Sequence, residues 1–383
     1  MEPVYILGGL RTPIALKNGG LASVRPEIMG AKVCRELLTR QHVEPASLSG
    51  IFVGNAVGTG GNIGRLMSLE AGFPETVPVL TVDMQCASAA AAISLAFAKI
   101  SAGQGDVFLA GGIESASLQP LRVYAPQDER YGLTSNADGA YYTAQFAPCD
   151  LRPDTMLRSA EKVIEAEHVS KSELDAWVLR SHQQAAMAQK AGIFADVMLP
   201  IGTCCRDEGI KPNMSQRLLD RLPPLFGKGT LLNAGNACRI NDGAAFLLLA
   251  SKSFCQRHNL TPQAEILATA SLGGNPAESP RGAQLTAELL LRRQGLTFRD
   301  LAAIEFNEAF AVIDVLFARK YPDCLDRYNR FGGALAYGHP YGASGAIIAL
   351  QTLASLRVAD GELGLFSIAG AGGMGEAVLI RSI

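Results

Sequence analysis

Three residues carry side chains suited to nucleophilic and proton-transfer chemistry and sit where local structure would hold them. Cys86 falls between an apolar run, 79–84, and an alanine-rich helical run, 87–102. A thiol at the start of a helix feels the positive end of its dipole, which favours thiolate. A small buried cysteine in a packing seam is the structural alternative. His339, one of five histidines, lies in GGALAYGHPYGASG, a turn rich in glycine and proline with no helical period. A base held in such a turn suits proton transfer to and from a thiol. A turn histidine hydrogen-bonded only for structure has the same signature. His168, His182 and His258 occupy polar helical segments and read as surface residues, and His42 sits in a polar loop. Asn307, followed by Glu308, stands at the end of the short apolar run 303–306. An asparagine there orients a histidine or a water, as in cysteine-histidine-asparagine catalysis, or caps the helix that follows.

These residues need a scaffold, and the pattern predicts one. Strands at 4–7, Gly50–Gly54, 79–84 and 107–110 alternate with helices at Pro26–Arg40, 62–71 and 87–102, which is α/β patterning. The stretch 119–243 is more polar and richer in Arg and Tyr, with an amphipathic helix over 172–191; it reads as an insertion. From about 263 the α/β pattern returns and echoes the first half. CASAA and GASGA each open a helix, Gly105-Asp106 and Gly361-Glu362 each make a turn, and each turn feeds an apolar strand ending in glycines. Order and spacing of this kind indicate a duplicated half. The predicted division is 1–118 with 244–262 for the N-terminal half, 119–243 for the inserted loop domain and 263–383 for the C-terminal half.

The second glycine cluster, Gly370-Ala371-Gly372-Gly373-Met374-Gly375, fits G-x-G-x-x-G. A dinucleotide site needs those glycines to open a helix within a βαβ unit. Here another apolar run follows at 376–380 and leaves no room for one, so a turn between two strands is the reading. The chain of 383 residues has a net charge of −2 and no apolar run of the roughly 20 residues that span a bilayer. Neither nucleic acid nor membrane is indicated as a partner. Eight cysteines show no C-x-x-C or metal-ligand spacing, and no basic export signal opens the chain. Free thiols in a reducing cytoplasm are expected, without metal or prosthetic group. Cys34 reads as a buried hydrophobe, and the adjacent Cys204 and Cys205 as a strand end.

Taken in order, the blocks GGLRTPIA, QCASA, GGIESAS, AGNACRINDGAA, NEAFA and GGALAYGHPYGASG resemble the thiolase family over nearly the full length. The resemblance implies two similar α/β halves packed as five layers, α-β-α-β-α, with an inserted loop domain contacting coenzyme A. It implies a dimer or a dimer of dimers acting on acyl-CoA. Cys86 would take the acyl group as a thioester. His339 would accept the thiol proton and help bind the thioester oxygen, and Asn307 would hold a water completing that oxyanion hole. Backbone N–H groups of Cys86 and Ala371 would form a second one. Arg217, Arg221 and Lys228 would meet the phosphates of coenzyme A, since guanidinium fits phosphate bidentately.

The departures concern the reaction rather than the fold. The family's second catalytic cysteine falls at Ala369. Ala371 and Ala89 replace glycines, Asp83 an asparagine, Cys238 a serine beside the pantetheine arm, and Thr155 a histidine. Three readings stay open on the sequence. One is a thiolase-like acyltransferase with condensation or thiolysis impaired at Ala369. Another is a decarboxylative or simple acyl-transfer enzyme. The last is a non-catalytic acyl-CoA-binding protein.

Overall fold

A computed structural model describes residues 2–134, 138–148 and 150–383 of the chain. Among the described residues the strands are β1 (Val4–Arg11), β2 (Ala15–Leu16), β3 (Gly50–Gly54), β4 (Val79–Val82), β5 (Val107–Glu114), β6 (Arg122–Val123), β7 (Ala140–Tyr141), β8 (Asn241–Ser251), β9 (Ala264–Gly273), β10 (Ala303–Phe306), β11 (Leu363–Gly370) and β12 (Met374–Ser382). The main sheet runs β10-β11-β12-β9-β1-β8-β5-β3-β4, with β2 beside β8, and β6 pairs with β7 apart from it.

Outward from the antiparallel β1–β9 seam the two sides repeat. The series β1-β8-β5-β3 and β9-β12-β11-β10 each pair antiparallel, antiparallel, then parallel. Helices match as well. Pro26–Arg40 lies between β1 and β3 in sequence as Gly282–Gln294 lies between β9 and β10, and Ser88–Ser101 and Ser344–Ala359 precede β5 and β11. Both central helices are built from small residues (Ala89, Ala92, Ala96, Ala346, Ala349), all fully buried in one apolar core. Two outer cores lie under Pro26–Arg40 and Gly282–Gln294. The layers therefore read helix, sheet, central helix pair, sheet, helix. Tyr341–Ala359 is apolar and long enough by composition to cross a bilayer, but 78% of its apolar window is buried inside the protein, so it is a core helix.

The segment between β5 and β8 carries the helices Thr155–Ala166 and Lys171–Ala191. Lys171–Ala191 starts at a capping box, Ser170 with Glu173, and stops at Gly192 in the left-handed conformation, φ 67°. His182 lies on this helix and is buried, contrary to the surface position expected from its polar neighbours. Its Nδ1 accepts the Lys211 N–H at 3.1 Å. Burial, with Arg239 and Lys211 nearby, pushes its pKa down to about 4.

Two glycine sites position the chemistry. The cluster after β11 is a tight hairpin: Gly370 pairs with Met374, and Gly372 and Gly373 take φ values of 84° and 79°, which glycine adopts without steric cost. It is a strand turn, as the spacing predicted. At Gly112 in β5, a Cβ would sit 1.8 Å from the carbonyl oxygen of Gly342 and 2.8 Å from that of Gly54. The turn bearing His339 thus lies directly on the sheet. Gly112→Ala is expected to destabilise the fold by about 1–3 kcal/mol, the range for overpacking, and to shift the His339 turn. Chemical denaturation with an unchanged midpoint would refute that close approach.

Candidate active site

Cys86 projects from an elbow between β4 and the Ser88–Ser101 helix. The preceding residue, Gln85, has φ 52°, a conformation non-glycine residues adopt at a cost. Local side chains hold it there. Asp83 Oδ1 accepts from the Gln85 backbone N–H at 2.8 Å and from Gln85 Nε2 at 2.9 Å. Ser88 Oγ accepts from Met84 N–H at 2.9 Å and donates to the Gln85 carbonyl at 2.6 Å. Asp83, one of the departures noted above, is therefore a working part of the elbow.

The thiol is not the resting thiolate that a helix start predicts. Burial, and then the nearby charge of Glu114, push the Cys86 pKa up to about 12. The backbone N–H groups of Cys86 and Ala371 oppose this and are outweighed. Those two N–H groups converge on the sulfur, so the pair expected to form an oxyanion hole does meet at the nucleophile.

His339 is buried, with its backbone N–H shared between the Arg239 carbonyl and Asn241 Oδ1, each at 3.0 Å. Its tautomer follows from its neighbours. Ser344 Oγ spends its proton on the Pro340 carbonyl at 2.9 Å, so at 2.6 Å it accepts from Nδ1–H. Nε2 is then the free base. The Asn307 carboxamide nitrogen reaches Nε2 at 3.3 Å. Burial lowers the imidazole pKa to about 3, so the ring is neutral at physiological pH. Asn307 does not cap a helix: the next one, Ala311–Lys320, has Phe310 at its N-cap. Its partner in sequence, Glu308, bonds instead to Ser181 Oγ at 2.5 Å and Asn329 Nδ2 at 3.1 Å.

Cys86, His339, Ala369, Ala371 and Cys238 line one cavity of about 740 Å³. Lys17, Arg122 and Arg239 also face it, and no carboxylate is among its described lining residues. Arg217, Arg221 and Lys228 are not part of that lining; all three are exposed on the surface. Thr155 is outside it too, with its hydroxyl spent on the Arg152 carbonyl at 2.7 Å. The seven described cysteines are all free, and Cys149 lies outside the described residues.

Glu114 has a positioning role that its block in the sequence did not reveal. It is buried and accepts from Asn55 Nδ2 and from the N–H groups of Ala56, Val57 and Gly342, at 2.9–3.3 Å. Burial raises its pKa to about 7 against those donors. It thereby ties β5 to the turn that carries His339. The available signal was a carboxylate ending an apolar strand, since a buried charge needs partners.

Comparison with known proteins places this site in a family. A model of the thiolase N-terminal domain matches residues 4–253, and one of the thiolase C-terminal domain matches 260–382. The chain is 35% identical to a beta-ketoadipyl-CoA thiolase of Pseudomonas aeruginosa over 99% of both chains. It is 33% identical to the 3-oxoadipyl-CoA/3-oxo-5,6-dehydrosuberyl-CoA thiolase of Escherichia coli over the full length of both. Among solved structures, human mitochondrial 3-ketoacyl-CoA thiolase in complex with CoA superposes with a TM-score of 0.91 at 29% identity, covering 100% of this chain and 98% of that one. The Bacillus anthracis acetyl-CoA acetyltransferase gives 0.90 at 28% identity, covering 100% and 99%. With two family models spanning 4–382 and a shared fold around the cavity of Cys86 and His339, the chain belongs to the thiolase family and is an acyl-CoA acyltransferase.

Proposed function

We propose that Cys86 carries the acyl group of a coenzyme A thioester as a covalent thioester, with His339 as its base. The observation that carries this reading is the tautomer of His339. Nδ1–H is held by Ser344, so Nε2 is unprotonated, and His339 lines the same cavity as Cys86. Substrate binding brings a carbonyl carbon to the sulfur, Nε2 takes the thiol proton, and sulfur attacks. Protonated Nε2–H and Asn307 Nδ2–H, their nitrogens 3.3 Å apart, are then two adjacent donors of the kind that stabilises an oxyanion. The N–H groups of Cys86 and Ala371 serve the oxygen of the acyl-enzyme. A resting thiol beside a neutral imidazole suits this sequence, because charge develops only as the reaction proceeds.

Arg217, Arg221 and Lys228 are the phosphate partners in this reading, with Lys17, Arg122 and Arg239 setting a positive potential inside the cavity. A homo-oligomer is part of it too. Edge strand β4 exposes Leu80, and the neighbouring Ile63–Glu70 helix exposes Leu66 and Leu69. An open strand edge flanked by apolar side chains invites a second copy. Position 369 offers only a methyl group, so proton transfer at carbon cannot come from that residue.

Intact-mass analysis after incubation with acetyl-CoA tests the core of the proposal. A single added acetyl group, mapped to Cys86 and released by free coenzyme A, is the expected result. An unmodified chain under conditions where coenzyme A binds would overturn it.

A further inference from the structure

The family reaction needs a second proton-transfer group at the carbon that leaves as acetyl-CoA, and Ala369 has none. We propose that Cys238 supplies it, as the acid that protonates that carbon and the base that then deprotonates incoming coenzyme A. This rests on the acyltransferase reading above and adds a catalytic residue to it.

The argument begins with position. The segment 237–240 is stitched to both catalytic turns. Cys238 N–H donates to the Ala309 carbonyl at 2.9 Å, two residues beyond Asn307, and Ala237 bridges Phe310. The Arg239 carbonyl accepts His339 N–H at 3.0 Å, and Ile240 bridges His339. The Cys238 side chain is thereby fixed between the two turns that hold the nucleophile's partners. It faces the same cavity as Cys86, and these two are the only thiols among the described lining residues. Each is close enough for its charge to act through the buried space, since ionised Cys86 raises the pKa of Cys238. Among the described residues the Cys238 sulfhydryl donates no hydrogen bond, so its proton is available.

Protonation state selects the direction. Burial first, then Cys86, push the Cys238 pKa far above the ordinary thiol range. It therefore rests as S–H, a proton donor. In thiolysis His339 Nε2 takes the Cys86 proton and sulfur bonds to the 3-oxo carbon. The C2–C3 bond breaks, its electron pair goes to C2, and C2 takes the proton of Cys238. Acetyl-CoA leaves. Incoming coenzyme A gives its thiol proton to the Cys238 thiolate, its sulfur bonds to the acyl carbon, and Cys86 leaves and recovers the proton from His339. Both thiols and the imidazole end as they began, and no oxidant or reductant is consumed.

Acetoacetyl-CoA thiolysis and acetylation of Cys86 by acetyl-CoA separate this step from the first. Cys238→Ala is expected to lower thiolysis by on the order of 10²–10⁴-fold, the contribution of one positioned acid or base, while acetylation persists. Cys238→Ser should behave like alanine, because a hydroxyl is a far weaker acid. Placing the thiol instead at position 369, which lines the same cavity, as Ala369→Cys in the Cys238→Ala background, should restore thiolysis. Thiolysis unchanged in Cys238→Ala would overturn the assignment. So would loss of acetylation and thiolysis together without rescue, which marks a role in shaping the cavity. A wild-type protein that is never acetylated would refute the acyltransferase reading itself, and this proposal with it.

Discussion

Cys86→Ala is expected to abolish acyl-enzyme formation and to lower turnover by on the order of 10⁵-fold or more, the scale seen when a nucleophile is removed. The methyl group cannot bond to an acyl carbon, and the other thiol of the cavity, Cys238, is held by a different loop. Because the elbow is built by Asp83, Gln85 and Ser88, the substitution leaves its hydrogen bonds in place. Affinity for coenzyme A should therefore be retained while chemistry is lost, which calorimetry on the variant would check. The loss separates covalent catalysis from simple binding. If Cys86→Ala still accumulates an acetylated species, or still turns over acetoacetyl-CoA at a rate near wild type, the nucleophile has been misassigned.

His339→Ala should cost on the order of 10²–10⁴-fold in the acylation rate, the contribution of a positioned base, and the pH profile should identify why. With the imidazole lowered to about 3 and the Cys86 thiol raised to about 12, thiol beside neutral imidazole is the dominant resting form between those limits. The acylation rate at low substrate should be flat across the neutral range. A limb near pH 6.5 assigned to this pair would mean a resting thiolate–imidazolium pair instead. Stability supplies an independent readout. The folded pKa of His339 lies below the ordinary value of 6.5, so the unfolded chain takes up the proton first. The contribution of the neutral, buried ring is complete above pH 6.5 and is lost as pH falls toward 3. His182, lowered to about 4, acts in the same sense. Glu114, raised to about 7, acts in the opposite sense over the same window and is common to both chains, so the expected readout is the difference: from pH 7 to 5 the wild-type midpoint should lose ground relative to that of His339→Asn.

Much of the scaffold was legible because its signals are local. Pro26–Arg40, Gly50–Gly54 and Ala303–Phe306 have the predicted limits, since proline, glycine and apolar runs mark these elements within a few residues. The hairpin at Gly372 and Gly373 was legible for a similar reason: the residues that follow left no space for a helix. The errors came where a residue's state depends on distant neighbours. His182 looks polar among its sequence neighbours, yet its helix is packed and its ring nitrogen is taken by Lys211. The helix start at Cys86 pointed to a thiolate, but burial and Glu114, on another strand, decide for the thiol.

What the sequence determined by itself was the order of the blocks, and hence which side chains were available: a cysteine before a helix, a histidine in a rigid turn, an asparagine after a strand, and alanine at 369. Backbone preference and apolar period act over a few residues, so they are readable along the chain. What the tertiary structure alone decided was the state and company of those side chains. Ser344 selects the tautomer of His339, Glu114 fastens its turn to β5, and the segment at 237–240 brings Cys238 into the cavity of Cys86. Desolvation and charge act through space, and the residues that supply them here lie up to 228 positions apart in the chain.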